Sequence, residues 1–272
     1  MTLPLSPLAF GVTGPLASPA VTSGQTRNLV RAALARGITV FDTGPAYGNG
    51  RAERRLGEAL RGVREERICL MTKAGIHAGR RRDFSPGGIE MSLKESLDRL
   101  DRKRVDILWL HGPAPDELTP ALFRHLSAFQ ARGLFGCLGV CGRGVELDAA
   151  IEMDEITALM APVHSCLGDA EIARLERAKA RGMTVMGIEA LAGSVRQTRL
   201  SLRPADLWYL ARRVKQGLTG SVPQETGLNA QTALQWALDR PYCDCVVSTT
   251  TNPVHLATNA ALAGLEPDAK PA

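Results

Sequence analysis

A closed (β/α)8 (TIM) barrel, folded as a single domain, is what this sequence predicts, and three observations predict it. Eight short runs recur along the chain at 8–13, 38–43, 68–73, 105–111, 135–141, 158–164, 184–189 and 243–248. Most are continuously apolar, as parallel strands buried on both faces must be. Stretches with apolar residues at helical spacing lie between them. The 272 residues suit one barrel around one core.

Taken in order, the first strand leads to a helix that ends at Ala35-Arg36-Gly37. The same design returns at Ala131-Arg132-Gly133 and Ala180-Arg181-Gly182. Arginine complements the negative end of the helix dipole, glycine takes a left-handed cap, and an apolar strand follows. Strands two, five and seven begin after these junctions. Strand two is followed by a helix at 52–60 with Ala52, Leu56 and Leu60 on one stripe. Strand three precedes a helix at 89–100 with Ile89, Leu93, Leu97 and Leu100 on another. Two helical patterns, at 205–216 and 228–239, separated by a loop at 217–227, make 191–240 a longer connection expected over the C-terminal rim, where barrels build their sites. An open doubly wound sheet is the alternative; it requires a G-x-G-x-x-G turn, which Gly11-Val12-Thr13-Gly14 does not supply.

With 44% hydrophobic and 22% charged residues, the chain can bury a sizeable core. No apolar run reaches the roughly 18 residues of a membrane span, and the start lacks a secretory signal pattern, so a soluble, cytoplasmic protein without a membrane partner is expected. Six scattered cysteines suit reduced thiols, and Cys243-Asp244-Cys245 lacks the second ligand pair of a zinc site. The net charge of +5 raises the question of nucleic acid, but the arginines are dispersed. Arg54, Arg55 and Arg61 sit among Glu53, Glu58, Glu65 and Glu66, which reads as a solvated face of mixed charge. Aromatic residues, at 4%, are too few for a base-stacking platform, so no nucleic-acid partner is expected. Nothing in the sequence sets an oligomeric state.

Three strands deliver polar residues at their C-terminal ends: Asp42, Lys73 and His111. Tyr47 lies in the loop after Asp42. Each alone reads as an ordinary turn cap, surface tyrosine, rim lysine or strand-end histidine. In a barrel, however, these ends converge on one mouth. The segments Phe41-Asp42-Thr43-Gly44-Pro45-Ala46-Tyr47-Gly48, Thr72-Lys73 and Leu110-His111-Gly112-Pro113 resemble, in order and spacing, the signature segments of the aldo-keto reductases. The run Arg51-Ala52-Glu53-Arg54-Arg55-Leu56-Gly57 and the segment from Asp83-Phe84-Ser85 to Leu100 are most similar to the bacterial sugar and pyridoxal dehydrogenase branch.

The resemblance implies reduction of a small-molecule carbonyl with NAD(H) or NADP(H), with Asp42, Tyr47, Lys73 and His111 as the catalytic tetrad. The chemistry agrees. Reduction needs a hydride at carbon and a proton at oxygen. A free tyrosine titrates at about 10, so a phenol that must also accept the proton back needs a cation beside it. Lys73 can be that cation, Asp42 its counter-ion, and His111 a hydrogen-bonding group at the carbonyl oxygen.

The resemblance further implies cofactor contacts from Thr13, Asp42, Cys141, Leu191, Gly193, Ser248, Thr249, Thr250 and Asn259, the last at a position that contacts adenine. Here the chain departs from the pattern. Cys141-Gly142 stand where most relatives carry Ser-Asn, Met160 where glutamine is usual, and Ile188, beside Glu189, where an aromatic residue stacks on the nicotinamide. No Lys or Arg occurs in 241–269 to clamp a 2′-phosphate, which favours NAD(H) or weak NADP(H) binding and leaves the choice open. Arg80-Arg81-Arg82 follow strand three as a solvated loop within reach of an anionic substrate. His77, Trp109 and Arg143 are expected to pack or to face solvent. Two other functions stay in view: a lyase, isomerase or cyclase that reuses the tetrad without an external hydride, and a nicotinamide-sensing regulatory protein.

Overall fold

In a computed structural model, which describes residues 5–194, 204, 208 and 226–266, eight parallel strands close into a barrel in sequence order. They are β1 (Leu8–Gly11), β2 (Val40–Asp42), β3 (Cys69–Ala74), β4 (Val105–His111), β5 (Phe135–Cys141), β6 (Ala158–Pro162), β7 (Thr184–Ile188) and β8 (Cys245–Ser248). Pairing of β1 with β8, Ala9 opposite Val247, completes the circle. Around it run α1 (Ser23–Leu34), α2 (Arg51–Ala59), α3 (Pro86–Leu100), α4 (Pro120–Ala131), α5 (Val145–Ile151), α6 (Asp169–Ala180), α7 (Ala230–Leu238) and α8 (Pro253–Leu262). The helical pattern at 205–216 falls outside the described residues apart from Trp208, whose ring lies against Gly14.

The Ala-Arg-Gly junctions fold as the sequence predicts. Gly37, Gly133 and Gly182 have φ of 74°, 77° and 74°. Each glycine N–H donates to the carbonyl three residues back, and the next N–H donates to the carbonyl five back, as in Ile38 to Ala33 at 3.1 Å. This is the Schellman arrangement, and it satisfies carbonyls that a helix end leaves orphaned. Arg36 adds a bond from Nη1 to the Ala32 oxygen at 3.0 Å.

Two apolar layers result from the alternation of side chains along each strand. Outward residues such as Phe10, Phe41, Leu70, Leu108 and Val140 pack beneath the helices. Inward residues fill the barrel: Ala9, Val40, Cys69, Met71, Ile107, Trp109, Cys141, Ala158, Met160, Met186 and Cys245. Trp109 is fully buried and lies over Gly139, where an added Cβ would come within 2.3 Å of the indole. All six cysteines are free thiols. No helix among the described residues is long and apolar enough to cross a membrane.

The mixed-charge face read from α2 is corrected by the structure. Arg54 and Glu58 are exposed, but Glu53 is fully buried and Arg55 nearly so. Glu53 accepts from Thr72 Oγ1 at 2.7 Å and Arg99 Nε at 2.6 Å, tying α2 and α3 to β3. Arg55 donates to the backbone oxygens of Leu16 and Ser18 at the end of the first turn after β1. A periodicity argument counts charges as solvated, whereas these two have found fixed partners inside.

Candidate active site

The strand ends bring Asp42, Lys73 and His111 to the C-terminal mouth. Lys73, fully buried, donates from Nζ to Asp42 Oδ1 at 2.6 Å, Asp42 Oδ2 at 2.7 Å and the Thr43 backbone oxygen at 2.8 Å. All three ammonium donors are thereby used, which is what makes a buried charge tolerable. Burial alone would depress the proton affinity of Lys73, but the Asp42 carboxylate outweighs it and holds the ammonium above its ordinary range. Burial also pushes the Asp42 carboxyl upward, against the pull of Lys73.

Tyr47 is aimed at this pair by a tightly wound loop. Gly48, Asn49 and Gly50 have φ of 62°, 59° and 76°. A Cβ on Gly48 would lie 2.0 Å from the Ala17 oxygen, so only glycine fits. Beneath, Gly44 lets the Lys73 stem and the Tyr47 ring close together; a Cβ there would lie 3.3 Å from both. The Lys73 ammonium stands 5.0 Å from the Tyr47 ring centroid, and the His111 ring meets that of Tyr47 edge-on at 6.1 Å. Burial raises the Tyr47 phenol above its ordinary value, while Lys73 works in the opposite direction. At the phenol, desolvation prevails over the neighbouring cation.

His111 is depressed to about 3, first by burial and then by the charges of Lys73, Arg143, Arg80 and Arg82. It is therefore a neutral imidazole near pH 7, able to donate through one ring N–H. Its Nδ1 is buried without a partner among the described residues, as suits a group that meets its partner in a complex.

Cys141 pairs with His111 across β4 and β5, and its buried thiol is pushed up to about 11 by desolvation. Cys141 and Met160 thus present neutral, buried groups to the site interior. Arg143, expected to pack or to face solvent, is exposed and pairs across the mouth with Glu189, with Nε 3.0 Å from Oε1. The sequence does not link the two, because 46 positions separate them and only barrel closure makes them neighbours.

At the other end of the mouth, Thr249 Oγ1 donates to the Gly11 oxygen at 2.9 Å, locking β8 to β1 beside Thr13. Asn259 Nδ2 donates to Ser248 Oγ at 3.0 Å, and Thr250 Oγ1 accepts from Asn252 N–H at 3.1 Å. Leu191 and Gly193 follow β7, where Gly193 takes φ of 72° and its oxygen accepts from Thr226 N–H at 2.8 Å. The polar, uncharged side chains of Ser248, Thr249, Thr250 and Asn259, partly bonded to one another and to β1, suit the polar, uncharged portions of a dinucleotide next to the N-terminus of α8. At the tetrad, the orphan Nδ1 of His111 fits an incoming polar group. The nicotinamide end is less furnished, since a thiol and a thioether are weak hydrogen-bonding groups beside an amide or hydroxyl.

Residues 8–270 match the model of the aldo/keto reductase family, and the chain belongs to that family. Over 147 residues it is 31% identical to the D-threo-aldose 1-dehydrogenase of a Pseudomonas species, covering 44% of this chain and 45% of the relative. The chain spans about half the length of the curated relatives it matches. Among solved structures it is similar to a Pseudomonas aeruginosa protein assigned to the aldo-keto reductases, at 26% identity and a TM-score of 0.73, over 95% of this chain and 89% of that one. A Klebsiella pneumoniae aldo-keto reductase in complex with NADPH shares the fold at 21% identity and a TM-score of 0.71, over 96% and 87% of the two chains.

Proposed function

We propose that this chain is an NAD(P)-dependent oxidoreductase that interconverts an aldehyde, ketone or sugar hemiacetal with the corresponding alcohol or lactone, using Tyr47 as general acid and base. The observation that carries this reading is the ammonium of Lys73, pinned by Asp42 and set against the ring of Tyr47 beside a neutral His111. The family supports it, as do a relative named for sugar oxidation and a neighbour solved with NADPH.

The dinucleotide, held by Ser248, Thr249, Thr250, Asn259 and the loops bearing Thr13, Leu191 and Gly193, would supply the hydride. Everything else falls to the chain's own groups. In reduction, the Tyr47 hydroxyl gives its proton to the carbonyl oxygen, and the phenol's raised proton affinity keeps it loaded near neutral pH. In oxidation the phenolate must form first, and the fixed charge of Lys73 stabilises it. His111, uncharged, donates a hydrogen bond that orients the carbonyl without repelling Lys73. Asp42 acts through Lys73, by keeping it charged and in place.

The test is turnover of a panel of aldehydes and ketones followed by loss of reduced-nicotinamide absorbance. Tyr47→Phe is expected to lower kcat by about 10²–10⁴-fold with circular dichroism unchanged. Wild-type rates in that variant would end the reading. A proton-transfer reaction without external hydride is a second reading, favoured by the neutral groups of Cys141 and Met160 where an amide would want partners. Tight binding of NADH or NADPH would remove it.

A further inference from the structure

More positive charge surrounds His111 than the proton chemistry uses. Arg82 donates from Nη1 to the oxygen of Gly112, the next residue, at 2.9 Å, and is held on its other edge by Glu117. Arg143 stands on the opposite side of His111, two residues beyond Cys141, whose backbone oxygen accepts from Gly112 N–H at 2.7 Å. Arg80, exposed on the same rim, has no ion-pair partner among the described residues.

Arg143 has the marks of a built arm. The N–H groups of Arg143 and Gly144 both donate to Glu146 Oε1, at 2.6 and 3.1 Å, and a Cβ on Gly142 would lie 2.3 Å from that same oxygen. The turn is thus wound around one carboxylate, which fixes where the arginine starts. Its guanidinium already grips a carboxylate, because Nε and Nη2 both donate to Glu189 Oε1. Glu189 reaches that position from a left-handed backbone, φ 61°, unusual for a residue with a Cβ. With Arg143 60% exposed and Glu189 34% exposed, the pair is solvated enough to be displaced.

We propose that Arg143 is a substrate-anchoring residue that receives the carboxylate of an anionic carbonyl substrate, a 2-oxo acid or a semialdehyde of an acid, while Glu189 stands in for that carboxylate in the free protein. The proposal rests on the oxidoreductase reading for the carbonyl, but the carboxylate site itself does not. Guanidinium suits the role, since its planar edge matches a carboxylate as an ammonium does not.

The test separates the two. Succinate, which cannot be reduced, is titrated calorimetrically into the full chain at low salt, with succinamide as the neutral control. Arg143→Gln is expected to weaken succinate binding about tenfold, the loss of one charge-assisted contact. Glu189→Gln is expected to tighten it, because the internal competitor is gone, and succinamide should be indifferent to both. In turnover, Arg143→Gln should lower the ratio of kcat/KM for succinic semialdehyde over butyraldehyde by about tenfold, and Arg143→Lys should recover part of it. Reduction of butyraldehyde with an unchanged ratio, and succinate binding indifferent to Arg143, would overturn the anion site and leave the oxidoreductase reading intact. Succinate binding that depends on Arg143 in a protein that reduces no carbonyl would uphold the site and sink the reading beneath it.

Discussion

Lys73 and Asp42 sit on neighbouring strands with the ammonium within 2.6 and 2.7 Å of both carboxylate oxygens, the two side chains only 1% and 5% exposed. Asp42→Asn removes one charge and leaves the other desolvated. The expected loss is about 3–5 kcal/mol of stability in urea unfolding, the usual penalty for breaking one side of a buried pair. Asp42→Asn combined with Lys73→Met should regain most of that stability without regaining activity. A single variant as stable as the wild type would show that the pair bears no such stress.

His111 sets a direction for pH. Its folded proton affinity is depressed to about 3, by burial first and the surrounding cations next, whereas an unfolded histidine titrates at about 6.5. Between those values the unfolded chain binds a proton that the native one refuses, so stability is fully present above about 6.5 and falls as the pH drops toward 3. His77 and His164 are also depressed, both chiefly by burial, and share the sign. Thermal unfolding of His111→Gln across this window should therefore show a shallower acid slope than the wild type. Parallel curves would contradict the depressed value.

Cofactor choice is open to engineering because no arginine or lysine occurs in 241–269. His255 lies exposed in the first turn of α8, four residues before Asn259, which bonds Ser248. His255→Arg would offer a 2′-phosphate a charge-assisted contact, and the affinity ratio of NADPH to NADH should rise about tenfold. Fluorescence titration with both nucleotides measures it. No change in the ratio would mean that the adenosine end lies elsewhere.

Much of this was legible in the sequence, and the particular residues say why. Strands four and five were read to the residue, because their apolar runs are bounded by Lys103-Arg104 and by the Ala-Arg-Gly junction. Strand two was read two residues too early, since Ile38 N–H is still closing the preceding helix on Ala33. Strand eight was too, since Cys243 N–H closes a turn on Arg240. An apolar pattern does not distinguish those backbones from strand. The cluster of Asp42, Lys73 and His111 was readable because each is tied to a strand end, a local feature, and Tyr47 because its loop follows one directly. Glu53 inside the protein and the pairing of Arg143 with Glu189 were not, because both depend on which elements closure brings together, and charge patterning alone assigns Glu53 to water.

The layer directly beneath the site leaves no room for an added methyl at Gly139. Trp109 is paired with Lys73 on one side and with Gly139 on the other, and its fully buried ring lies over the glycine. In Gly139→Ala the new methyl would meet Trp109 Cζ3 at 2.3 Å and the Ala158 backbone oxygen at 2.9 Å. Neither neighbour is the free end of a flexible chain, so the interior must shift. Overpacking of this kind costs about 1–3 kcal/mol. Displacement of the indole should also disturb Lys73, giving a fall in kcat larger than the change in KM. Adding Trp109→Leu removes the clash, so the double variant should be more stable than the sum of the two single changes allows. Additive stabilities in that cycle would mean that the ring and the glycine do not meet.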